Sequence, residues 1–400
     1  MKVTQIDTIR VHKFPNLVFV EVCTDEGIAG LGETFWGASA VESYVHETVA
    51  PLLLGEDPTD LERHASRFKG RLGNTGSGVE TRGNSAVNIA LWDIVGKVHG
   101  QPLYRLLGGK ARESVRIYNT CAGSNYVKDA PEQSVRNWGL GARSEYEDLD
   151  AFLHDAGGLA QSLLSEGIDA MKIWPFDPYA EAGNGRRISA QDLARAISPL
   201  EKIRGAVGSR MDIMVELHSL WDVPTAKRII AALGPFDPFW VEDPVISTNP
   251  TVLAQLAREV APPLAISETL GGAVSYLPLV ESGAAKVVLA DIGWVGGISE
   301  ARKVSLLAEL FDVPVSFHDC TGPVVLTTSV HMAVSTVNAC IQETVRAFYK
   351  GWYRELVTEL PMIEEGVARP PSGPGIGTEL LPDVRARPGT EVRSSTLAAT

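Results

Sequence analysis

After Gly108-Gly109 the sequence settles into a rhythm that few architectures satisfy: short apolar runs alternate with longer amphipathic stretches through most of the remaining chain. Eight runs stand out, at 115–118, 170–173, 213–217, 239–241, 264–266, 286–290, 314–317 and 339–341. Short buried strands joined by amphipathic helices make a parallel sheet, because each connection must cross back over the sheet. Repetition toward eight closes that sheet into a barrel, which uses about 250 residues. The chain has 400 residues, so a second unit accompanies the barrel.

The first hundred residues supply that unit. Strand-like alternation covers 2–12 and 17–24, Asp25-Glu26-Gly27 is a turn, and a glycine-rich extended stretch follows at 28–34. Helical spacing covers 38–54 and 85–99, with Ser85 placed to cap the second helix and Gly100 to end it. We expect an α+β capping domain at 1–112, a barrel at 113–345 and a C-terminal segment at 346–400 that packs back on the cap. Residues 124–148 are polar and too long for an ordinary strand-to-helix loop, so they are expected over the barrel mouth or in a subunit contact. Residues 392–400 read as a frayed end.

Polar residues recur at the ends of successive strands: Glu216, Glu242, Glu268, Asp291, His318 and Glu343, spaced 23 to 27 residues apart. In a parallel barrel all of them arrive at the C-terminal face, where the loops build the site. Three carboxylates on adjacent strands repel unless a cation lies between them, and Mg²⁺ on Glu216, Glu242 and Glu268 meets that need. A strand's period of two puts His218, two residues after Glu216, on the same inward face, beside that cation. Asp291 and His318 end neighbouring strands, the arrangement of a base and the carboxylate that orients it. Lys172 and Trp174 lie at the same rim, as a contact to substrate or carboxylate and as pocket lining. Residues 293–297 (GWVGG) lack the glycine pattern of a nucleotide loop.

Composition removes other classes. Thirty-six basic against 49 acidic residues leave a net charge of −13, which argues against nucleic acid and anionic membrane as partners. No window approaches the roughly 18 unbroken apolar residues of a membrane helix. The four cysteines have no CxxC spacing, and no apolar core follows the N-terminal MKVTQIDTIRVH. The expectation is a reduced, cytoplasmic protein with neither disulfides nor a zinc cluster.

Specific strings sharpen this. Ala90-Leu91-Trp92-Asp93 runs into Pro102-Leu103-Tyr104-Arg105-Leu106-Leu107-Gly108-Gly109, and Val241-Glu242-Asp243-Pro244, Ser267-Glu268-Thr269 and Gly296-Gly297-Ile298 follow. With His318 before Gly322-Pro323, and Gln342-Glu343, the chain resembles the mandelate racemase branch of the enolase superfamily, especially acid-sugar dehydratases of the galactonate dehydratase type. The resemblance implies a modified (β/α)7β barrel, Mg²⁺ on Glu216, Glu242 and Glu268, and His318 with Asp291 as base. It implies His218 as acid, Glu343 at the substrate carboxylate, and two cap loops, carrying Trp36 and Asn74 to Arg82, closing over the substrate. Two departures are visible: Glu216 stands where Asp is commoner, and Trp174 where racemase and cycloisomerase relatives carry a second lysine. The expected reaction is removal of the C2 proton of a sugar acid and loss of the 3-hydroxyl, giving a 2-keto-3-deoxy acid. The alternatives are a racemase or epimerase on the same residues, and a silent metal- or sugar-acid-binding barrel. An even-numbered homo-oligomer completes the expectation.

Overall fold

The computed structural model describes residues 1–69, 76–128 and 132–397. Strands β1 (Val3–Val11), β2 (Leu17–Thr24) and β3 (Ala29–Phe35) form an antiparallel meander. The helix Val79–Val98 lies against it, and the glycines of β3 let it come close. A Cβ at Gly30 would sit 2.0 Å from Ala90 O, and one at Gly32 would sit 1.8 Å from Ala86 O. That helix begins six residues before the expected start. Ser85 therefore does not cap it; its hydroxyl donates to Thr81 O at 2.7 Å inside the helix. The helix Leu61–Phe68 was not expected either, since only its inner face is apolar and the stretch is short.

The barrel strands are β4 (Val115–Thr120), β5 (Ala170–Ile173), β6 (Asp212–Glu216), β7 (Trp240–Glu242), β8 (Leu264–Ile266), β9 (Val287–Ala290), β10 (Val315–Phe317) and β11 (Gln342–Thr344). They pair in parallel in chain order from β4 to β10, and β11 pairs β4. Alternation sorts their side chains. Tyr118, Ala170, Met214, Trp240, Ala265 and Leu289 fill the interior, while Met171, Val215, Val241, Ile266 and Val288 pack outward under the helices. In the same inward phase, one turn of pleat higher, come Thr120, Lys172, Glu216, Glu242, Asp291, His318 and Glu343. Glu268 is one residue out of that phase.

The eighth strand starts directly after the apolar run at 339–341, three residues later than expected. That run meets β10 through the bridge of Val315 to Ala339 and the bond from Cys340 N to Val315 O at 2.9 Å, and lies outside the paired strand. The paired residues are polar Gln342, Glu343 and Thr344, opposite Ile117, Tyr118 and Asn119, and apolarity does not mark them. No full helix follows β11, so the barrel is (β/α)7β. The tail makes a hairpin, β12 (Met362–Glu364) and β13 (Val367–Arg369), which pairs with the start of β4. It ends in β14 (Thr390–Thr396), paired antiparallel with β1 from Val11–Thr390 to Gln5–Thr396. The expected fraying at 392–400 is thus wrong through Thr396: this stretch is the fourth strand of the cap sheet, and backbone pairing holds it despite its exposed side chains. Among the described residues no helix is long and apolar enough to cross a membrane, and the cysteines are unpaired.

Candidate active site

The inward polar residues floor a cavity of about 260 Å³ at the C-terminal end of the barrel. At its base Lys172 Nζ stands 2.5 Å from Glu242 Oε1, 3.0 Å from Glu343 Oε1 and 3.5 Å from Glu216 Oε2. The cation between the acids is therefore part of the chain. Those carboxylates, Glu242 first, hold the Lys172 ammonium well above its ordinary value against the opposing pull of burial. Glu242 also accepts from Trp240 Nε1 at 2.8 Å. Glu343 is tied to the Thr120 hydroxyl and accepts from Asp319 N at 3.0 Å.

One ammonium does not balance this floor. Glu216, Asp243, Glu268 and Glu343 line the cavity, with Glu242 beneath. Burial and then Glu216 push the Glu242 carboxyl well above the usual range, and burial and then Glu268 do the same to Asp243. Glu268 Oε2 and Asp243 Oδ1 are buried without a hydrogen-bond partner. An all-oxygen, over-acidic donor set with unpartnered oxygens fits a hard divalent cation. Among the described residues, however, no three such side chains converge on one point as they stand. Lys172 draws Glu216 and Glu242 toward itself, and Glu268 stands apart beyond the end of its strand. A bound cation would have to gather these carboxylates by side-chain rotation.

Two imidazoles face the cavity. His318 Nδ1 is hydrogen-bonded to Asp291 Oδ2 at 2.6 Å, and its Nε2 lies 3.9 Å from Glu343 Oε2. His218 Nδ1 lies 2.8 Å from Asp177 Oδ2, an ion pair whose angles fall outside those of a hydrogen bond. Burial alone lowers both imidazoles. Glu343 and then Asp291 more than reverse this for His318, to about 10, and Asp177 and then Glu216 for His218, to about 9. His218 does not lie on a continued strand. It has φ 50° on a left-handed turn, with its backbone N donating to Glu216 Oε1 at 2.7 Å. It reaches the cavity for a reason other than strand periodicity. Its carboxylate partner also escapes sequence reading, because Asp177 opens the short helix Asp177–Gly183 rather than ending a strand.

Aromatic side chains make the walls. Trp174 is buried, 5.9 Å from the His218 ring and 5.0 Å from Tyr126. Trp36 from the cap stacks on Trp294 at 5.3 Å, and Trp294 lies 5.3 Å from His318. Trp294 belongs to the GWVGG stretch, whose notable residue is the indole. Arg82 does not line the cavity; its guanidinium packs behind those indoles, 4.9 Å from Trp294 and 5.6 Å from Trp36. The resemblance implied a loop residue closing over the substrate; the structure places Arg82 in the first turn of the helix Val79–Val98, against the two rings. Asn74 lies outside the described residues. From 124–148, Tyr126, Val127 and Gln133 line the cavity, and the Gln133 amide is 3.3 Å from His218 Nε2.

Residues 4–108 match the mandelate racemase / muconate lactonizing enzyme N-terminal domain, and residues 155–384 match a family described as enolase C-terminal domain-like. The D-xylonate dehydratase of Haloferax volcanii is 28% identical over 386 residues, covering 95% of this chain and 87% of its own. The D-galactonate dehydratase of Ralstonia nicotianae is 28% identical over 388 residues, covering 95% and 92%. Among solved structures, an enolase of the mandelate racemase subgroup from Agrobacterium tumefaciens superposes with a TM-score of 0.88, at 45% identity over 99% of both chains. An enolase protein from Sargasso Sea environmental sequence superposes with a TM-score of 0.89, at 40% identity over 100% of both.

Proposed function

We propose, on the premise that this chain belongs to the mandelate racemase/muconate lactonizing enzyme family of the enolase superfamily and is an enzyme, that it dehydrates a sugar acid. The observation that carries the reading is a pair of carboxylate-backed imidazoles, His318 with Asp291 and His218 with Asp177, on one cavity over an acidic floor. His318 Nε2 takes the C2 proton from the neutral form of the ring, which positive charge among the acids favours by offsetting the carboxylates that raise it, while Asp291 on Nδ1 orients the ring and stabilises the imidazolium that forms. His218, held as imidazolium by Asp177 and Glu216, gives its proton to the 3-hydroxyl, which leaves as water. The resulting enol tautomerises to the 2-keto-3-deoxy acid. Mg²⁺ held by Glu216, Glu242 and Glu268, when bound, supplies positive charge beside the substrate carboxylate. Lys172 holds Glu242 and Glu343 in place, and Glu343 meets the substrate carboxylate. Trp36, Trp174 and Trp294 pack on the carbon chain, which suits acids of about five or six carbons.

A specific observation favours a second reading. Two imidazoles, each with its own carboxylate, are also what an epimerase needs to pass a proton across C2. A panel of sugar acids in D₂O with Mg²⁺, followed by NMR, decides between them. We expect 2-keto-3-deoxy acid to accumulate. The C2 epimer without loss of water would replace the dehydratase with the epimerase, and deuterium incorporation from no member of the panel would overturn both.

A further inference from the structure

The barrel helices divide by the origin of their N-caps. Helices Ala156–Ser165, Ala190–Val207, Val223–Leu233 and Pro250–Glu259 cap themselves, since Asp155, Ser189, Asp222 and Asn249 each accept from a backbone N–H three residues on. Ala273–Glu281 after β8, which starts at Gly272, takes its acceptor from within the barrel, Glu300 Oε2 on Ala273 N at 3.0 Å. The helices after β9 and β10, the strands that end in Asp291 and His318, begin at glycine with no side-chain cap of their own. Their acceptors come from the cap domain. Ser85 Oγ accepts from Gly296 N at 2.9 Å and Asn88 Oδ1 from Ser299 N at 3.0 Å. Glu33 on β3, fully buried, accepts from Val324 N at 3.2 Å and Val325 N at 2.9 Å, in the first turn of the helix Pro323–Ser335.

Its neighbours on β3 hold the other loop. Thr34 Oγ1 donates to Gly293 O at 2.7 Å, two residues past Asp291, and the Phe35 carbonyl accepts from Trp294 Nε1 at 3.1 Å. The fit leaves no slack, since a Cβ at Gly322 would lie 2.3 Å from Glu33 Oε1. Only Asp319 to Gly322 separate His318 from the helix that Glu33 holds, so a shift of that helix is passed to the imidazole. Burial pushes the Glu33 carboxyl up to about 8 while the amides of Val325 and Val324 pull it back down, and in its ionised form it is matched to the open amides of a helix start in both hydrogen bonding and dipole.

We propose that Glu33 is a positioning residue for proton transfer at C2: by holding the amides of Val324 and Val325 from the cap, it sets His318 against Asp291. The inference rests on the reading of His318 as base. A glutamine there keeps one acceptor but turns an amide donor toward the second N–H. With the acid sugar that the enzyme turns over, Glu33→Gln should lower both kcat and the rate of C2-proton exchange by about 10- to 100-fold, with KM within about threefold. Ser189→Ala, which removes a cap from a barrel helix away from the site, serves as the stability control and should keep its kcat. A Glu33→Gln protein that melts earlier but turns over like Ser189→Ala overturns the proposal. If Glu33→Gln does not fold, Thr34→Val tests the same strap through the Asp291 loop. There a loss of about fivefold in kcat is expected, and a folded variant at wild-type kcat overturns the strap. His318→Asn in the same assay separates the two levels. If it still exchanges the C2 proton, the base assignment fails and the proposal with it; if it is inert while Glu33→Gln is fully active, the proposal alone fails.

Discussion

The half of the barrel mouth that carries His318 is bolted to the cap, while the half that carries His218 stands on its own loops. On the first side β3 and the helix Val79–Val98 supply the acceptors for the helices after β9 and β10, and His318 meets Asp291 in an aligned bond of 2.6 Å. On the second side the helix Val223–Leu233 caps itself through Asp222, His218 sits on a left-handed turn, and Asp177 approaches at 2.8 Å off the hydrogen-bond direction. Both imidazoles have a carboxylate, so pairing alone does not distinguish them. Alignment does. A group that removes a weakly acidic proton needs one nitrogen free and aimed, whereas a group that protonates a departing hydroxyl needs chiefly its proton and reach.

Glu242 tests the comparison first, because it lies at the seam of the halves and serves both. Glu242→Gln should lower C2 exchange and dehydration alike by more than about 10³-fold and weaken Mg²⁺ binding measured by titration calorimetry. A variant that kept exchange would remove Glu242 from the common floor. The histidines should then part. His318→Asn is expected to lose exchange by about 10³-fold, and His218→Asn to keep it within about tenfold while dehydration falls by about 10²-fold. Equal loss of exchange in both would erase the distinction and favour the epimerase.

The carboxylates behind them sharpen it by a smaller step. Asp291→Asn removes an aligned partner and should reduce kcat by about 10²-fold, against about tenfold for Asp177→Asn. Rates read at one pH with matched melting temperatures suffice, and a larger effect at Asp177 would reverse the ranking.

What could be read from the residues follows from what repeats. Strand ends in a parallel barrel recur at one interval and point one way, so Glu216, Glu242, Asp291, His318 and Glu343 announced themselves. Asp177 and Gln133 come from irregular connections with no period to betray them. Lys172 was legible as a rim residue, but its enclosure by Glu216, Glu242 and Glu343 depends on four strands at once. The tail strand β14 was missed because its partner β1 lies at the other end of the chain and its side chains carry no apolar pattern. Arg82, expected on a loop over the substrate, lies against two indoles, a packing arrangement that a motif does not encode.

The smallest effect is on stability, and its sign is fixed. His318 and His218 are held at about 10 and about 9 in the folded chain, against about 6.5 when unfolded. Groups raised in this way bind protons more tightly folded than unfolded, so their contribution is fully present below pH 6.5 and is lost as pH climbs through the folded values. The neighbouring carboxyls of Asp291, Glu242 and Asp243 are raised too, and they make stability fall with pH from the acid side. Subtracting variant from wild type isolates the imidazoles from this background. The melting-temperature advantage of wild type over His218→Asn should shrink from pH 6.5 and be gone near 9, while that over His318→Asn should persist about one unit further. Saturating Mg²⁺ should narrow both windows, because positive charge among the acids relieves the pull that holds the imidazolium ions. Windows unmoved by Mg²⁺ would mean that the cation, wherever it binds, does not share Glu216, Glu242 and Glu268 with the two histidines.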